Sequence, residues 1–204
     1  MTTRTVTGLY DSYEDAARAI RNLEDAGVPD SGLGLVVNNA DNRYALSDAD
    51  ARVDDTSATG AGASIGTVLG GGAGLLAGFG MLAIPGIGPV VAAGWLVSTA
   101  AGAAAGAAAG GLLGALTGAG VNEERAHLYA EAVRRGGALV TARVVGRQAA
   151  TVEKIMRRDG WVDADERAKL YREEGWTVFD ERAEPFTAEE IARERNSHRE
   201  NLAL

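Results

Sequence analysis

The sequence predicts an α+β fold, and two observations lead to this class. Strand-like segments rich in Val and Thr alternate with segments whose apolar residues recur at helical spacing, first near the start of the chain and again in its second half. Between them, residues 56–122 contain no Asp, Glu, Lys or Arg, although the 204-residue chain carries a net charge of -8. The chain is therefore predicted to contain one charged domain, which an apolar insert divides into two parts.

The first part of the domain, residues 1–40, is predicted to form a strand, a helix and a second strand. Arg4–Tyr10 has the β-branched and aromatic residues typical of a strand. Ser12 followed by Asp15 resembles a capping box at a helix start, and a Gly and a Pro end that helix. The apolar run Leu33–Val37 predicts the second strand.

The second part of the domain, residues 121–165, repeats this pattern after the insert. Asn122 is the expected cap of a helix that two glycines end, and Ala138–Val145 alternates as a strand does. A further helix with one apolar face and a short last strand, WVDADE, follow. The two parts together predict a small ferredoxin-like sheet, built as βαβ and αβαβ, with helices on one face.

The remaining charged segments are predicted to be a linker and a tail. Residues 41–59 are polar without clear periodicity, which indicates a linker. Residues 166–204 alternate acidic and basic residues, and Thr187 with Glu190 forms a capping box for a charged terminal helix. We expect the tail to pack back onto the sheet through its aromatic residues, which are Tyr171, Trp176, Phe179 and Phe186. An arm that binds a partner is the alternative.

The insert, residues 60–120, contains two series of small residues at a spacing of four. The first series is Gly62, Gly66, Gly70, Gly74 and Gly78, and the second is Gly94, Ser98, Gly102, Gly106, Gly110, Gly114 and Gly118. A turn is predicted between the two series, at Pro85, Gly86, Gly88 and Pro89. Residues four apart share one helix face, so each series lets a second helix approach closely. The insert is therefore predicted to be a glycine-zipper helical hairpin that packs on itself and on other copies of the chain.

Length and flanking charge predict that this hairpin enters a membrane. A helix over about residues 61–83 spans ~34 Å at about 1.5 Å per residue, against ~30 Å for the hydrocarbon core of a bilayer. Arginines flank only the open end of the hairpin, at Arg43, Arg52, Arg125 and Arg134, so both termini are expected on the cytoplasmic side. The predicted function is that of a non-enzymatic protein that associates with the lipid membrane and self-associates there.

A soluble cytoplasmic assembly is the alternative to membrane insertion. From Ser98 to Gly111 the chain has no Leu, Ile, Val or Phe, so this stretch gains little from contact with lipid. Such a stretch packs better against another helix. In this alternative, the hairpins of several copies form a shared hydrophobic core of a homo-oligomer, with room for a lipid or a quinone.

The sequence shows no pattern typical of a catalytic, metal or cofactor site. The chain has no cysteine, and its two histidines, His127 and His198, lie far apart without neighbouring ligand residues. The acidic run around Asp48 lacks the spacing of a calcium loop. Nucleic-acid binding needs clustered Lys and Arg, which this acidic chain does not offer. We therefore expect no enzyme activity, no cofactor and no nucleic-acid partner; an enzyme or ligand sensor built on the sheet is a third, less favoured hypothesis.

Several stretches together resemble a known family. TVTGLYDSYEDAARAIRNLEDAGV, AIPGIGPVVAAG and GVNEERAHLYAEAVRRGGALVTARV, in this order, are similar to the longer members of the bacterial heat-induced general stress protein family. The resemblance covers roughly residues 3–165 and implies a role in the bacterial stress response. Members of that family look membrane-embedded when they carry such an insert, and the family has no established catalytic residues to transfer to this chain.

Overall fold

The computed structural model describes residues 2–41, 80–96, 111–158 and 160–201. These residues form six strands and six α-helices, which confirms the predicted α+β class. The strands are β1 Thr3–Tyr10, β2 Leu33–Asn38, β3 Gly80–Ile84, β4 Gly88–Gly94, β5 Ala138–Val145 and β6 Trp161–Val162. The helices are α1 Tyr13–Asp25, α2 Gly111–Gly118, α3 Glu123–Arg134, α4 Gly146–Met156, α5 Ala164–Glu173 and α6 Ala188–Asn201.

All six strands belong to one antiparallel sheet with the order β3-β4-β2-β5-β1-β6. β1 pairs with β5 along its whole length, from Thr3 opposite Val145 to Tyr10 opposite Ala138. On its other side, β1 pairs with β6 only at Leu9 and Tyr10. The sheet therefore ends in β3 on one side and in a two-residue strand on the other.

The helix starts follow the capping residues that the sequence indicates. The Asp15 backbone N–H donates to the Ser12 hydroxyl at 3.1 Å at the start of α1. The Glu124 N–H donates to the Asn122 side chain at 3.0 Å at the start of α3. A side-chain acceptor satisfies one of the backbone donors that a helix start leaves free, so both caps fix where these helices begin.

Helices cover both faces of the sheet, whereas the sequence predicted helices on one face. α1 and α4 pack on one face around Tyr10, Ile20 and Val140. α2, α3 and α5 pack on the other face around Leu9 and Leu139. The physical reason is visible in β2, which is buried at all six positions and therefore needs apolar cover on both sides.

Residues 80–94 form a β-hairpin, which corrects the predicted helices on either side of the turn. A turn is present at Pro85–Ile87, where Gly86 has a φ of 74°, but the predicted turn residues Gly88, with a φ of 92°, and Pro89 belong to β4. β4 pairs with β2 from Gly34 opposite Gly94 to Asn38 opposite Val90. β4 also pairs with β3 on its other side, so the backbone groups of β4 are hydrogen-bonded on both sides. This pairing explains why the uncharged residues of β4 form a strand and not a helix.

The prediction of membrane insertion is wrong. Among the residues that the structure describes, no helix is both long enough and apolar enough to cross a bilayer. Parts of both proposed spans are strands, and α2, the described helix within the second span, has 8 residues and covers only about 12 Å. The predicted position at the cytoplasmic side of the cell membrane depended on those spans and loses its support.

The tail packs back onto the domain, as its aromatic residues predict. Tyr171 is fully buried and Phe179 is buried in the same cluster as Leu9 and Leu139 of the sheet. Trp176 meets Tyr171 edge to face, with the ring centroids 6.1 Å apart. The tail therefore contributes to the hydrophobic core on the α3 face of the sheet.

Candidate functional site

The predicted helix-packing residues fall mostly outside the described part of the chain. Within it, Gly94 ends β4, and Gly114 and Gly118 lie on α2. Outside the described residues lie Gly62, Gly66, Gly70, Gly74, Gly78, Ser98, Gly102, Gly106 and Gly110. The helix-packing role of the two series therefore stays a prediction.

Gly94 has a reason to be glycine that the helical spacing does not reveal. Its φ is 74°, a left-handed conformation that residues with side chains rarely adopt. A Cβ at this position would also collide with the carbonyl oxygen of Leu33 on β2. Gly118 is different, because a Cβ built there meets no described atom within 4 Å. Glycine at position 94 is thus required by the close approach of β4 to β2.

The predicted turn residues contact the tail. A Cβ on Gly86 would lie 2.7 Å from the carbonyl oxygen of Asp180, and one on Gly88 would lie 2.9 Å from the Cβ of Pro185. The tail therefore covers the turn of the β3–β4 hairpin, and the absence of side chains at these two glycines makes room for it.

Within the part of the chain that the structure describes, the outer side of β3 is the first open edge of the sheet. β3 pairs with β4 from Gly80 opposite Ala92 to Ile84 opposite Gly88, and no described strand pairs with its other side. Its sequence, GMLAI, is uncharged, and Ala83 is exposed. Natural sheets commonly protect such edges with Lys, Pro or a bulge. β3 has no lysine or proline, so its backbone is suited to pairing with another strand.

The outer side of β1 is the second open edge. β6 covers only Leu9 and Tyr10, so Thr3–Gly8 has no strand partner on this side within the described structure. β6 is short because Asp163 caps α5 immediately after it. The Asp163 carboxylate accepts from the N–H groups of Asp165 and Glu166 at 2.8 and 3.2 Å. These two hydrogen bonds lower the pKa of Asp163 below its usual range.

A cleft of about 420 Å³ lies along this open edge of β1, between the start of α3 and one side of α4. The α3 side includes Val121, Arg125 and Tyr129, and the side formed by α4 includes small residues at Ala149 and Ala150. We call this space the β1 cleft. Its floor is β1 itself, and its two walls come from helices on opposite faces of the sheet.

Hydrogen bonds hold β1 firmly against the α3 wall of the cleft. The Thr7 hydroxyl donates to the Tyr129 hydroxyl at 2.8 Å. The Thr5 hydroxyl donates to the carbonyl oxygen of Ala119 at 2.7 Å. Together with the continuous pairing to β5, these contacts fix the position of the open edge of β1.

The charges around the β1 cleft have an excess of arginine, although the whole chain is acidic. Arg4, Arg125 and Arg157 line it, against one lining carboxylate, that of Glu153. Arg125 pairs with Asp165 at 2.7 Å. Burial lowers the pKa of Arg125, but the hydrogen bonds and charge interactions with Asp165 and Tyr129 together outweigh it, so the pKa is raised. Arg157 pairs with Glu153 at 2.8 Å. Arg4 is exposed and forms no ion pair with another described residue.

A buried cluster of charges near the end of α3 has a structural explanation. The carboxylate of Glu131 is buried and accepts from the side chains of Arg134 and Arg135. Burial lowers the pKa of Arg135, but hydrogen bonds to Glu131, Glu194 and Glu174 outweigh it and raise the pKa. Because Glu174 follows α5 and Glu194 lies on α6, the cluster joins α3 to the tail. Within the described residues, no group of His, Asp and Glu side chains is arranged to hold a metal ion.

The sequence does not reveal the β1 cleft by any catalytic or binding motif. The available signal is the two-residue apolar segment Trp161–Val162 followed at once by Asp163, a preferred cap residue. That pattern indicates a last strand much shorter than its neighbour. The open edge follows only when the pairing of β1 is known.

Comparison of the chain with protein-family models, with curated proteins and with solved structures finds no match.

Proposed function

We propose that this chain is a non-enzymatic assembly protein, which forms homo-oligomers through β3 and the uncharged segments next to it. The observation that carries the proposal is the open, uncharged edge of β3. Two copies related by a two-fold axis pair their β3 strands antiparallel, because the same edge is then self-complementary.

The sequence on either side of the hairpin supports the same proposal. Residues 56–79 precede β3 and residues 97–110 follow the hairpin, and neither segment contains a charged residue. Uncharged, Gly- and Ala-rich chain of this length needs apolar surface to cover it, and an assembly of several copies supplies that surface. The residues of the two glycine series other than Gly94 fit close packing between copies at this interface.

The fold assignment within this proposal is a ferredoxin-like core with an added hairpin. The order β2-β5-β1-β6 with α1 and α4 on one face supports the core. β3 and β4 extend that core at the edge used for assembly. The resemblance of the sequence to the heat-induced general stress protein family supports a role of the assembly in the bacterial stress response.

The oligomeric mass of the full chain tests the proposal. We expect the wild-type protein to sediment as a dimer or larger species whose mass falls on dilution. Ala83→Lys places a charge on the exposed edge of β3 and is expected to shift the protein to lower mass. Gln148→Lys adds the same charge at an exposed position of α4 and is the matched control, expected to keep the wild-type mass.

A wild-type protein that is monomeric at all concentrations contradicts the proposed assembly. A mass that Ala83→Lys leaves unchanged removes β3 from the interface. The double substitution Gly70→Leu and Gly106→Leu separately tests the two glycine series, because leucine at these positions prevents close backbone approach. An unchanged mass in that variant removes the glycine series from the interface.

A further inference from the structure

The open edge of β1 has the dimensions of a missing strand. Thr3–Gly8 comprises six residues without a strand partner on the outer side, which at about 3.3 Å per residue is a length of about 20 Å. β6 lies at one end of this length and shows where the next strand of the sheet belongs. An extended segment beside Thr3–Gly8 therefore continues the line of β6.

The backbone of β1 supplies the main recognition groups for such a segment. In a strand, alternate residues direct their N–H and C=O groups to opposite sides. In Thr3–Gly8, the N–H and C=O groups of one alternate set of residues pair with β5. Those of the other set face the β1 cleft. An added strand satisfies this second set, in the manner of peptides that extend a sheet at its edge.

The walls of the β1 cleft have room for the side chains of an added strand. Successive side chains of that strand point alternately to the α4 wall and to the α3 wall. Small residues form much of the lining on both sides, with Gly146, Ala149 and Ala150 on α4 and Gly120 before α3. Both rows of side chains of the added strand therefore have space.

The charge of the β1 cleft identifies the class of segment that fits. Arg4 lies on the α4 wall, where a Cβ built on Gly146 would be 3.9 Å from its Cδ, and Arg125 lies on the α3 wall. The existing pair of Arg125 with Asp165 is exposed, with 39% and 71% of the two side chains accessible. Exposed pairs of this kind contribute little free energy, so Arg125 can exchange Asp165 for a carboxylate of a ligand.

From these four observations we propose that the β1 cleft binds an extended acidic peptide segment of another protein, which adds as a strand beside Thr3–Gly8. Backbone hydrogen bonds to β1 give the register, and carboxylates of the segment bind the arginines on the two walls. This binding is independent of the proposed self-association, because it uses the opposite edge of the sheet from β3.

The direct test is binding of a labelled peptide to the full chain, measured by fluorescence anisotropy. The probe is a peptide of about ten residues that alternates Asp or Glu with Val, and the control probe has Lys in place of each acid. We expect saturable binding of the acidic probe and binding at least about tenfold weaker for the lysine probe. Rising salt is expected to weaken the acidic probe's binding, because wall arginines contribute to it.

Methylation of the peptide nitrogens tests strand addition itself. Only alternate N–H groups of an added strand face β1, and the others face solvent. N-methylation of one alternate set is therefore expected to weaken binding by at least about tenfold, whereas methylation of the other set leaves it within about twofold. An equal effect of the two sets overturns strand addition as the binding mode.

Substitutions in the chain test the location. Ala150→Trp fills the β1 cleft from an exposed position, and Arg4→Glu reverses a wall charge. Both are expected to weaken binding of the acidic probe by about tenfold or more. Arg147→Glu changes the same charge at an exposed position on α4 that does not line the β1 cleft, and it is expected to leave binding within about twofold. Thermal unfolding followed by circular dichroism checks that each variant is folded.

Three further outcomes overturn the proposal. Equal binding of the acidic and lysine probes excludes the acidic class of ligand. Unchanged binding in folded Ala150→Trp places the site elsewhere. A loss of oligomeric mass in Ala150→Trp, with no saturable binding of the probe to the wild-type chain, assigns the β1 cleft to a second copy of this chain instead of another protein.

Discussion

The Arg135 Nε donates a hydrogen bond to Glu131 Oε1 at 2.7 Å, and the Glu131 side chain is only 1% exposed. The same guanidinium donates to Glu194 at 2.9 Å and to Glu174, and it lies over the ring of Tyr171 with its Cζ 4.1 Å from the centroid. One cation just after α3 therefore holds two separate parts of the tail. Glu131 of the domain and two carboxylates of the tail therefore share one guanidinium group.

Glu131→Ala is expected to destabilise the protein by about 1–3 kcal/mol, because Arg134 and Arg135 lose a buried acceptor. Arg135 keeps its pairs with Glu174 and Glu194, which limit the loss. Urea unfolding followed by circular dichroism measures the change. The matched control is Glu153→Ala. It removes the ion pair of Glu153 with Arg157, which has the same i,i+4 spacing but is exposed, with 53% of the Glu153 side chain and 55% of the Arg157 side chain accessible. That control is expected to cost no more than about 0.5 kcal/mol. Equal effects of the two substitutions would show that burial of Glu131 is unimportant.

Tyr10 and Tyr171 are expected to make the protein unfold at alkaline pH. Burial raises the pKa of each phenol above its ordinary value of 10.0. Above pH 10 the phenols of the unfolded chain therefore lose their protons, whereas those of the native state keep them. For each of the two tyrosines, the free energy of unfolding then falls by about 1.4 kcal/mol per pH unit. The stabilisation is fully present below this range and is lost as pH rises through the native pKa values.

Tyr10→Phe tests this dependence. The free energy of unfolding in urea, measured at several pH values above neutrality, is expected to fall less steeply with pH than in the wild type. At neutral pH the variant is expected to lose about 1–2 kcal/mol, because the Tyr10 hydroxyl donates to the buried carbonyl oxygen of Met156 at 2.8 Å. An unchanged slope in the variant would mean that Tyr10 ionises equally in both states.

Gly94→Ala and Gly118→Ala are expected to have opposite effects, although both glycines belong to the second series. Alanine at position 94 meets the carbonyl oxygen of Leu33 and an unfavourable φ, so a loss of several kcal/mol is expected, on the order of 3. Alanine at position 118, near the end of α2, meets no described atom and is expected to be neutral or to stabilise by up to about 1 kcal/mol. Thermal unfolding of both variants provides the comparison, and a harmless Gly94→Ala would contradict the observed pairing of β4 with β2.

Asp163→Ala is expected to destabilise the start of α5 by about 1 kcal/mol, because two backbone N–H groups lose their acceptor. The pKa of Asp163 is lowered, so this contribution is present above the ordinary pKa of an aspartate and is lost as pH falls through the native value. Asp163→Asn keeps an acceptor oxygen and serves as the control, with a smaller loss and a weaker pH dependence. Hydrogen exchange of the α5 amides measures both variants, and equal protection in Asp163→Ala and wild type would contradict the cap.

The elements with strong local signals are predictable from the sequence. Ser12 and Asn122 are preferred cap residues, and both caps are present in the structure. The tail's Thr187 and Glu190 also form their predicted box, with the Thr187 N–H donating to the Glu190 carboxylate at 2.8 Å. In each case a few neighbouring residues determine the geometry, so tertiary contacts are not needed to infer it.

The β3–β4 hairpin was assigned wrongly because its sequence contains no polar positions. A strand covered on both faces is apolar throughout, and a period of two cannot then be separated from a helical one. β4 is such a strand, with Val90, Val91, Ala92 and Ala93 all buried. Gly94 fitted a spacing of four by coincidence of position, while its actual requirement comes from Leu33 on the neighbouring strand.

The β1 cleft depends on relationships that are distant in sequence. Thr7 meets Tyr129, which is 122 residues away, and Thr5 meets Ala119, which is 114 residues away. The local pattern at Trp161–Val162 indicates that β6 is short, but it does not indicate which strand β6 pairs with or which residues it leaves open. The candidate site therefore follows from the sheet pairing, and only its individual elements were predictable.

Leu96 and Gly111, the described residues on either side of residues 97–110, lie at opposite ends of the hairpin. Leu96 lies beside Gly34, near the end of β4, whereas Gly111 lies beside Ile84, where the hairpin turns. β4 has 7 residues, so these attachment points are separated by about 20 Å. Anyone who shortens this protein by deleting residues 97–110 has to supply a linker of at least about six extended residues. A direct fusion would pull β4 away from β2 and dismantle the sheet from that side.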